Sequence, residues 1–312
     1  MTASIIITTY KRSDFLIRAI ESCLNQNFQG EKEIIIVDDS GKGTSYQKEN
    51  YDIIRDYIGK HNVRYIPHEV NRGACAARNT GAENANGKYL FFLDDDDVFL
   101  PEKLSFQISF LEENKGYDAH ACAFLKKRNG KDFPSTDGLP VIGDLKNYLM
   151  YGNVYTPMLC IRKDAFLEIG GFDDIPKFQD MYFIGVFLEK GKKIHAGKDY
   201  LFIQNDHKQE RISNKSVRNA QVAVSKLKQL ADRHKNEFNE REWNLVQTRM
   251  TVLLATTYYS STYLNRLKSA RYWLKCYNLS KKKRYLYPLT KILLPNNVIK
   301  WLESIKSRIV KH

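Results

Sequence analysis

No apolar run in this sequence approaches the roughly 18 residues needed to cross a bilayer, so no transmembrane helix is expected. No basic segment precedes the first apolar stretch, Ser4-Ile5-Ile6-Ile7, and no signal peptide is expected either. Cysteine is scarce. Cys23, Cys75, Cys122, Cys160 and Cys276 are odd in number and scattered, with neither zinc-ligand nor Cys-x-x-Cys spacing. This argues against a disulfide framework or a zinc module and for buried thiols in a reducing compartment. Internal repeats and low-complexity tracts are absent, as are helix-turn-helix, zinc-finger and RNP-like patterns, so nucleic acid is not an expected partner.

What is present is a globular composition, 43% hydrophobic and 27% charged. The 312 residues suffice for one large domain, or a domain with an extension. The net charge of +13 is unevenly placed. Residues 208–312 hold 23 Lys and Arg against 6 Asp and Glu, whereas the first 207 residues hold 26 against 30. A near-neutral part is thus followed by an extension aimed at an anionic surface.

The most informative local feature is a run of four aspartates, residues 94–97, directly after the apolar stretch Tyr89-Leu90-Phe91-Phe92-Leu93. Adjacent carboxylates cannot enter a core unless something positive pairs with them. A solvated acidic turn is one reading. In open α/β sheets, however, ligands bind at the carboxyl ends of strands. Hard oxygen ligands there suit Mg²⁺ or Mn²⁺ holding a substrate's phosphates.

Apolar strands and amphipathic helices alternate in the first part. Strands are expected at residues 3–9, 33–37, 63–66 and 89–93. Helices are expected from a Ser13 or Asp14 cap to Asn25, then over 51–59, 73–84 and from Pro101 to Asn114. The first helix would bury Phe15, Ile17, Ala19, Ile20 and Leu24. This order implies a mostly parallel sheet with helices on both faces. Strands at 119–125 and 157–161, a Gly170-Gly171-Phe172 turn, a helix over 179–189 and a strand at 200–204 follow. From about residue 215 the pattern is helical throughout, over 216–238, 240–264 and 269–277. The expected domains are 1–213, α/β, and 214–312, a basic helical extension.

Two acidic pairs end two of the expected strands, Asp38-Asp39 and the run at Asp94, and the ends of neighbouring strands share one crevice. One pair can take a metal, and the other can accept hydrogen bonds from a base or ribose. Thr8, Thr9 and Tyr10 end the first strand beside them; Arg72 and Arg78 can neutralise phosphate. Helix capping by Asp38 or Asp39, and a surface role for the arginines, are the alternatives.

Four segments, taken in order, resemble family 2 glycosyltransferases of the GT-A fold. They are Ser4-Ile5-Ile6-Ile7-Thr8-Thr9-Tyr10-Lys11-Arg12, Ile34-Ile35-Ile36-Val37-Asp38-Asp39-Ser40, Asn71-Arg72-Gly73 with Ala77-Arg78-Asn79 and Gly81, and residues 87–97. The resemblance covers roughly residues 3–213 and implies inverting transfer of a sugar from a nucleotide-diphosphate donor, a UDP-sugar, to a saccharide acceptor. Carried over, Thr9 and Tyr10 line the base pocket, with Arg12, Asp38, Arg72, Arg78 and Asp95 also in the nucleotide set. Asp39 would bind uracil or its ribose. Asp94 and Asp96 hold the ends of the family's Asp-x-Asp motif, with Asp96 as metal ligand for Mn²⁺ or Mg²⁺ and Asp94 turned to ribose or water. The extra acids Asp95 and Asp97 leave that register open by one place.

The segment Gly170-Gly171-Phe172-Asp173-Asp174 with Gln179-Asp180 resembles the family's Gly-Gly-Phe segment and later Glu-Asp pair, with Gln179 in place of the Glu. It implies Asp180 as general base. A helix-N-terminal carboxylate favoured by the dipole is the plainer reading, and Asp173 and Asp174 compete for the role. His207 resembles a histidine that adds a metal or diphosphate contact; Lys208 and Arg211 are alternative phosphate contacts. The Gln-x-x-Arg-Trp motif of processive synthases is absent, which argues for one or a few sugars per acceptor.

In the extension, Lys281-Lys282-Lys283-Arg284 is flanked by Tyr277, Tyr285 and Tyr287, and Val298, Trp301, Leu302, Ile305 and Ile309 recur at helical spacing. Basic residues with interfacial aromatics suit an anionic membrane surface, where a lipid-linked saccharide acceptor would sit. The expected location is cytoplasmic, peripheral on the inner face of the cell membrane. An ordinary helical subdomain is the alternative for this region. For the whole chain, the alternatives are an inactive GT-A-like interaction module and a nucleotidyltransferase. The latter normally has a Gly-rich phosphate loop, and residues 8–13 contain no glycine.

Overall fold

A computed structural model describes residues 1–128, 130–134, 138–205, 216–259 and 263–293. By its internal contacts the chain forms two units. Met1–Ile175 with Gln179–Gln209 make the first; Pro176–Phe178 with Glu210–His312 make the second.

In the first unit the elements are β1 (Ala3–Thr9), α1 (Leu16–Leu24), β2 (Lys32–Asp38), α2 (Ser45–Ile54), β3 (Val63–Pro67), α3 (Ala74–Glu83), β4 (Tyr89–Asp94), β5 (Val98–Phe99), α4 (Lys103–Glu113), β6 (Ala119–Arg128), β7 (Lys131–Pro134), α5 (Leu145–Tyr151), β8 (Leu159–Arg162), α6 (Lys163–Glu168), α7 (Gln179–Glu189) and β9 (Ile194–Asn205). The sheet runs β3-β2-β1-β4-β8-β6-β9-β5, with β7 beside β6. β1, β2, β3 and β4 pair in parallel, as the alternating pattern implied. β8 is antiparallel to both β4 and β6, so the sheet is mixed rather than mostly parallel.

β1, β2 and β4 are apolar on successive residues because both faces of the sheet are covered. Ile5, Ile6, Ile7, Ile34, Ile35, Ile36, Leu90 and Phe91 are all fully buried. α3 lies close against β1 because Gly81 has no side chain: a Cβ there would fall 2.4 Å from Ile6 Cγ2.

The expected Ser13 or Asp14 cap of α1 is not formed. Phe15 is the N-cap and makes no side-chain cap bond, while Ser13 Oγ donates to Glu49 instead. The helix begins at Leu16, so its inward stripe is Leu16, Ala19, Ile20 and Cys23 at the i, i+3, i+4, i+7 spacing; Ile17 faces out. α2 starts six residues before the expected position because Thr44 caps it, accepting from Gln47 N. β9 is longer than its β-like residues suggest. Residues 194–196 lack a strand pattern, yet they pair in register with Ala119–Ala121 of β6. All five cysteines are free and buried.

In the second unit the elements are α8 (Val217–Arg233), α9 (Glu240–Tyr259), α10 (Tyr263–Ser280) and α11 (Tyr287–Leu293). Ser216 caps α8 by accepting from Asn219 N, and Ala220, Ala223, Val224, Leu227 and Leu230 form its buried stripe. Leu264, expected at the end of the preceding helix, belongs to α10. A small core of Ala255, Trp273 and Cys276 is covered by Tyr285, Leu289 and Ile292. No helix among the described residues is long and apolar enough to cross a membrane. The apolar stripe expected over 298–309 lies outside the described residues.

Candidate active site

Strand register brings the tips of three strands level. Thr9 of β1 pairs with Asp38 of β2, and Thr8 pairs with Asp94 of β4. β2 and β4 are therefore not neighbours, as the shared-crevice argument assumed; β1 stands between them. The two acidic pairs accordingly do different things.

Asp38 is fully buried and spoken for. Its Oδ1 accepts from Ser40 N at 2.9 Å. Its Oδ2 accepts from Asn50 Nδ2 at 3.0 Å and the Tyr65 hydroxyl at 2.8 Å. These bonds tie β2 to α2 and β3.

Asp39 holds the loop before α3. Oδ1 accepts from Arg72 N and bonds His68 Nδ1, both at 2.7 Å. Oδ2 accepts from Asn71 Nδ2 at 2.7 Å and Gly73 N at 2.8 Å. Gly73 enters α3 at φ 87°, a backbone only glycine adopts freely. His68, which the sequence reading did not single out, is buried and reaches on to Thr80 Oγ1 at 3.0 Å. Its only signal was its place at the end of β3. Arg72 itself is exposed.

The acidic run is not a solvated turn. Asp95, Asp96 and Asp97 are buried, whereas the Asp94 side chain is 39% exposed. Positive partners flank the run on both sides. Arg12 donates Nη2 to Asp95 Oδ1 at 2.6 Å and Nη1 to Asp96 Oδ2 at 2.8 Å. Arg78, buried on α3, donates Nη2 to Asp94 Oδ1 at 2.8 Å and Nη1 to Gln179 Oε1 at 3.1 Å. Thr9 Oγ1 donates to Asp95 Oδ2 at 2.7 Å, so its hydroxyl is used within the site. Burial, countered by Arg12, pushes the Asp95 carboxyl up to about 7. Asn205, which ends β9 one residue past the expected strand, donates its backbone N to Asp97 Oδ1 at 3.0 Å and its side chain to the Asp96 carbonyl.

Asp94, Asp96 and Asp97 each offer a carboxylate oxygen, and these oxygens lie within 4.8 Å of one another. Three hard donors at that spacing fit a divalent ion of the Mg²⁺ or Mn²⁺ class. Asp38 and Asp39 are not part of this cluster. His207, the other expected metal contact, lies outside the described residues, as do Lys208 and Arg211.

Tyr10 is half-buried beyond the tip of β1. Lys11 Nζ lies 5.0 Å from the centroid of its ring and 5.3 Å from that of Tyr46 on α2. Asp180 lies in the first turn of α7. The approach to that helix is fixed from α3: Asn79 accepts from Phe172 N and donates to Phe172 O, both at 2.8 Å. Phe172 then stacks on Phe183 of α7, with centroids 4.1 Å apart. Thr156 Oγ1 donates to Asp180 Oδ1. Burial raises the Asp180 carboxyl above the ordinary range, opposed by Arg78 and the Thr156 bond and reinforced by Asp94. Asp173 and Asp174 are exposed.

The model of glycosyl transferase family 2 matches residues 4–166, just over half the chain. The chain belongs to this family. Among family relatives, the UDP-Glc:alpha-D-GlcNAc-diphosphoundecaprenol beta-1,3-glucosyltransferase WfaP of Escherichia coli is 35% identical over 124 residues, which is 40% of this chain and 47% of that protein. The chain spans about half the length, or less, of the curated relatives it matches. Solved structures share the GT-A fold. S. aureus TarS 1–349 in complex with UDP-GlcNAc has a TM-score of 0.60 at 17% identity, covering 92% of this chain and 91% of that one. The mannosyltransferase PcManGT from Pyrobaculum calidifontis, in complex with GDP-Man and Mn²⁺, has a TM-score of 0.59 at 14% identity, covering 93% and 83%.

Proposed function

We propose that this chain transfers a sugar, with inversion, from a UDP-sugar to a saccharide acceptor carried on a lipid, in the biosynthesis of a surface polysaccharide. The observation that carries this reading is the Arg78 guanidinium. It bonds Asp94 of the acidic cluster and Gln179, the neighbour of Asp180, and so links a donor-side carboxylate to an acceptor-side base. Family membership and the name of WfaP support the donor and acceptor classes.

In this reading Asp94, Asp96 and Asp97 would hold a Mn²⁺ or Mg²⁺ ion, and His207, outside the described residues, is the further ligand the resemblance implies. When bound, the ion supplies Lewis-acid stabilisation of the diphosphate leaving group. Tyr10 stacks on the base. Asp39 contacts uracil or ribose, and Asp38, Thr9 and Asp95 shape the nucleotide pocket behind it. Arg72 contributes positive charge for the phosphates. Asp180 accepts the acceptor hydroxyl's proton as that oxygen attacks the anomeric carbon and the bond to the diphosphate breaks. Attack from the face opposite the leaving group inverts the configuration. The basic extension brings the enzyme to an anionic membrane on the cytoplasmic side.

A panel of nucleotide sugars, assayed for nucleotide release with Mn²⁺ and again with a chelator, tests the reading. UDP-sugars should be turned over with Mn²⁺ only, and Asp96→Ala should abolish the metal-dependent rate. Turnover unchanged by chelator, or confined to non-uridine donors, overturns it.

A further inference from the structure

Arg12 makes two strong contacts inside the acidic cluster, and they are not equivalent. Asp95 is buried and bonded at both oxygens: its Oδ2 is held by the Thr9 hydroxyl at 2.7 Å, and its Oδ1 takes Arg12 Nη2 at 2.6 Å. Asp96 belongs to the set whose oxygens gather within 4.8 Å, yet its Oδ2 is occupied by Arg12 Nη1 at 2.8 Å. One arm of the guanidinium is therefore anchored on a carboxylate outside the metal-ligating set, and the other is bonded to a carboxylate inside it. Arg12 directly follows Lys11, whose backbone sits at φ 53°, so the residue is aimed from a tight turn at the tip of β1.

The physical reason for such an arrangement is repulsion. Four successive carboxylates, three of them buried, cannot remain close together without positive charge. Arg78 serves Asp94 on one side, and Arg12 serves Asp95 and Asp96 on the other. A divalent ion entering the cluster meets cations already bound to two of its ligands, Arg78 on Asp94 and Arg12 on Asp96, and of these only Arg12 has a second carboxylate, Asp95, to stay on.

We propose that Arg12 is an internal counter-cation that competes with the divalent ion for Asp96, holding the cluster in shape when it is empty and yielding that carboxylate when the metal enters. Arg12 stays on Asp95 through Nη2 while Nη1 is released. The role rests on the reading of Asp94, Asp96 and Asp97 as a divalent-ion site. It makes Arg12 a positioning residue that sets metal affinity.

The test is Mn²⁺ binding to the full chain without nucleotide, followed by electron paramagnetic resonance or calorimetry. Arg12→Gln should bind Mn²⁺ roughly tenfold more tightly than the parent chain, since a charge-assisted hydrogen bond no longer has to be broken. Arg12→Lys keeps one charge but not the two-armed bridge and should fall between them. Equal or weaker binding by a folded Arg12→Gln chain overturns the competition and makes Arg12 a support for the ligand instead. The unsubstituted chain gives a measurement independent of any variant's folding. The Arg12 side-chain Nε–H resonance should shift on titration with Mg²⁺, and a resonance that stays fixed while the ion binds counts against the exchange. Failure of the metal reading itself looks different: neither Mn²⁺ nor Mg²⁺ binds the parent chain, and Asp96→Asn changes nothing.

Discussion

Asp180 is subject to opposed influences, and their signs allow its behaviour to be worked out. Burial and Asp94 disfavour its charge; Arg78 and the Thr156 hydroxyl favour it. A general base acts in its ionised form, so turnover should fall as pH drops through its pKa. Thr156→Val removes a hydrogen bond to the charged form, which moves the pKa up and the acidic limb of the kcat profile to higher pH. Thr156→Ser should restore the limb. An acidic limb unmoved in Thr156→Val would show that Asp180 is not the titrating group. Asp180→Asn keeps the side chain's size and should leave UDP binding by calorimetry near the parent value while lowering kcat by about 10²- to 10⁴-fold. Near-parent turnover would remove Asp180 from the reaction.

The sequence singled out these residues but could not rank them. Asp38 and Asp39 are adjacent and chemically identical. Only the fold turns one inward to Tyr65 and Asn50 and the other towards the loop of Arg72 and Gly73. His68 and Asn205 escaped notice for a similar reason. A lone polar residue at a strand end carries no pattern until its partner, 29 or 108 positions away, is placed beside it.

At the scale of elements, the parallel half of the sheet was readable because β1, β2 and β4 are continuous β-branched and aromatic runs set off by glycine and polar turns. The far half was less so. β8 falls on the strand expected at 157–161, but the first residues of β9 are strand by pairing more than by propensity. Two helix starts were misplaced: the cap expected at Ser13 is not formed, because that hydroxyl bonds Glu49, and α2 begins early because Thr44, not singled out in the sequence, caps it. The contact that most directly positions the site from an element is Gly81 of α3 against Ile6 of β1, because α3 also carries Arg78 and Asn79. Gly81→Ala places a Cβ within 2.4 Å of Ile6 Cγ2. Overpacking of this kind costs about 1–3 kcal/mol. The loss should appear in urea denaturation, together with weaker Mn²⁺ binding as Arg78 moves off Asp94. Ile6→Ala, which removes both Cγ atoms, should make the added Cβ at position 81 cost less than it does in the parent chain, and an undiminished cost would show that the helix is displaced by something other than this contact.

At the scale of the whole molecule, the division of charge is the feature that composition alone would have missed. The basic excess falls in residues 208–312, where the described elements are all helices. The exposed cluster Lys281 to Arg284 lies between α10 and α11. Just beyond it, Tyr285, Leu289 and Ile292 cover Trp273 and Cys276. A truncation at residue 280 would therefore uncover a hydrophobic core as well as remove charge, and would confuse unfolding with loss of membrane affinity. Replacing Lys281, Lys282 and Lys283 together by glutamine separates the two, because all three side chains are exposed and none is in that core, whereas Arg284 donates to the hydroxyl of Tyr285 at 2.9 Å and is left in place. Each basic residue near an anionic surface contributes about 1 kcal/mol. The triple variant should accordingly lose at least roughly tenfold in partitioning to phosphatidylserine-containing vesicles at low salt, with its thermal unfolding unchanged. Its turnover on a water-soluble acceptor should stay at the parent level while turnover on a lipid-linked acceptor in vesicles falls. Added salt should weaken the parent's vesicle binding towards that of the variant, since screening and charge removal act on the same term. If the variant binds vesicles as well as the parent does, the cluster is a solvated face and the acceptor is reached by another surface.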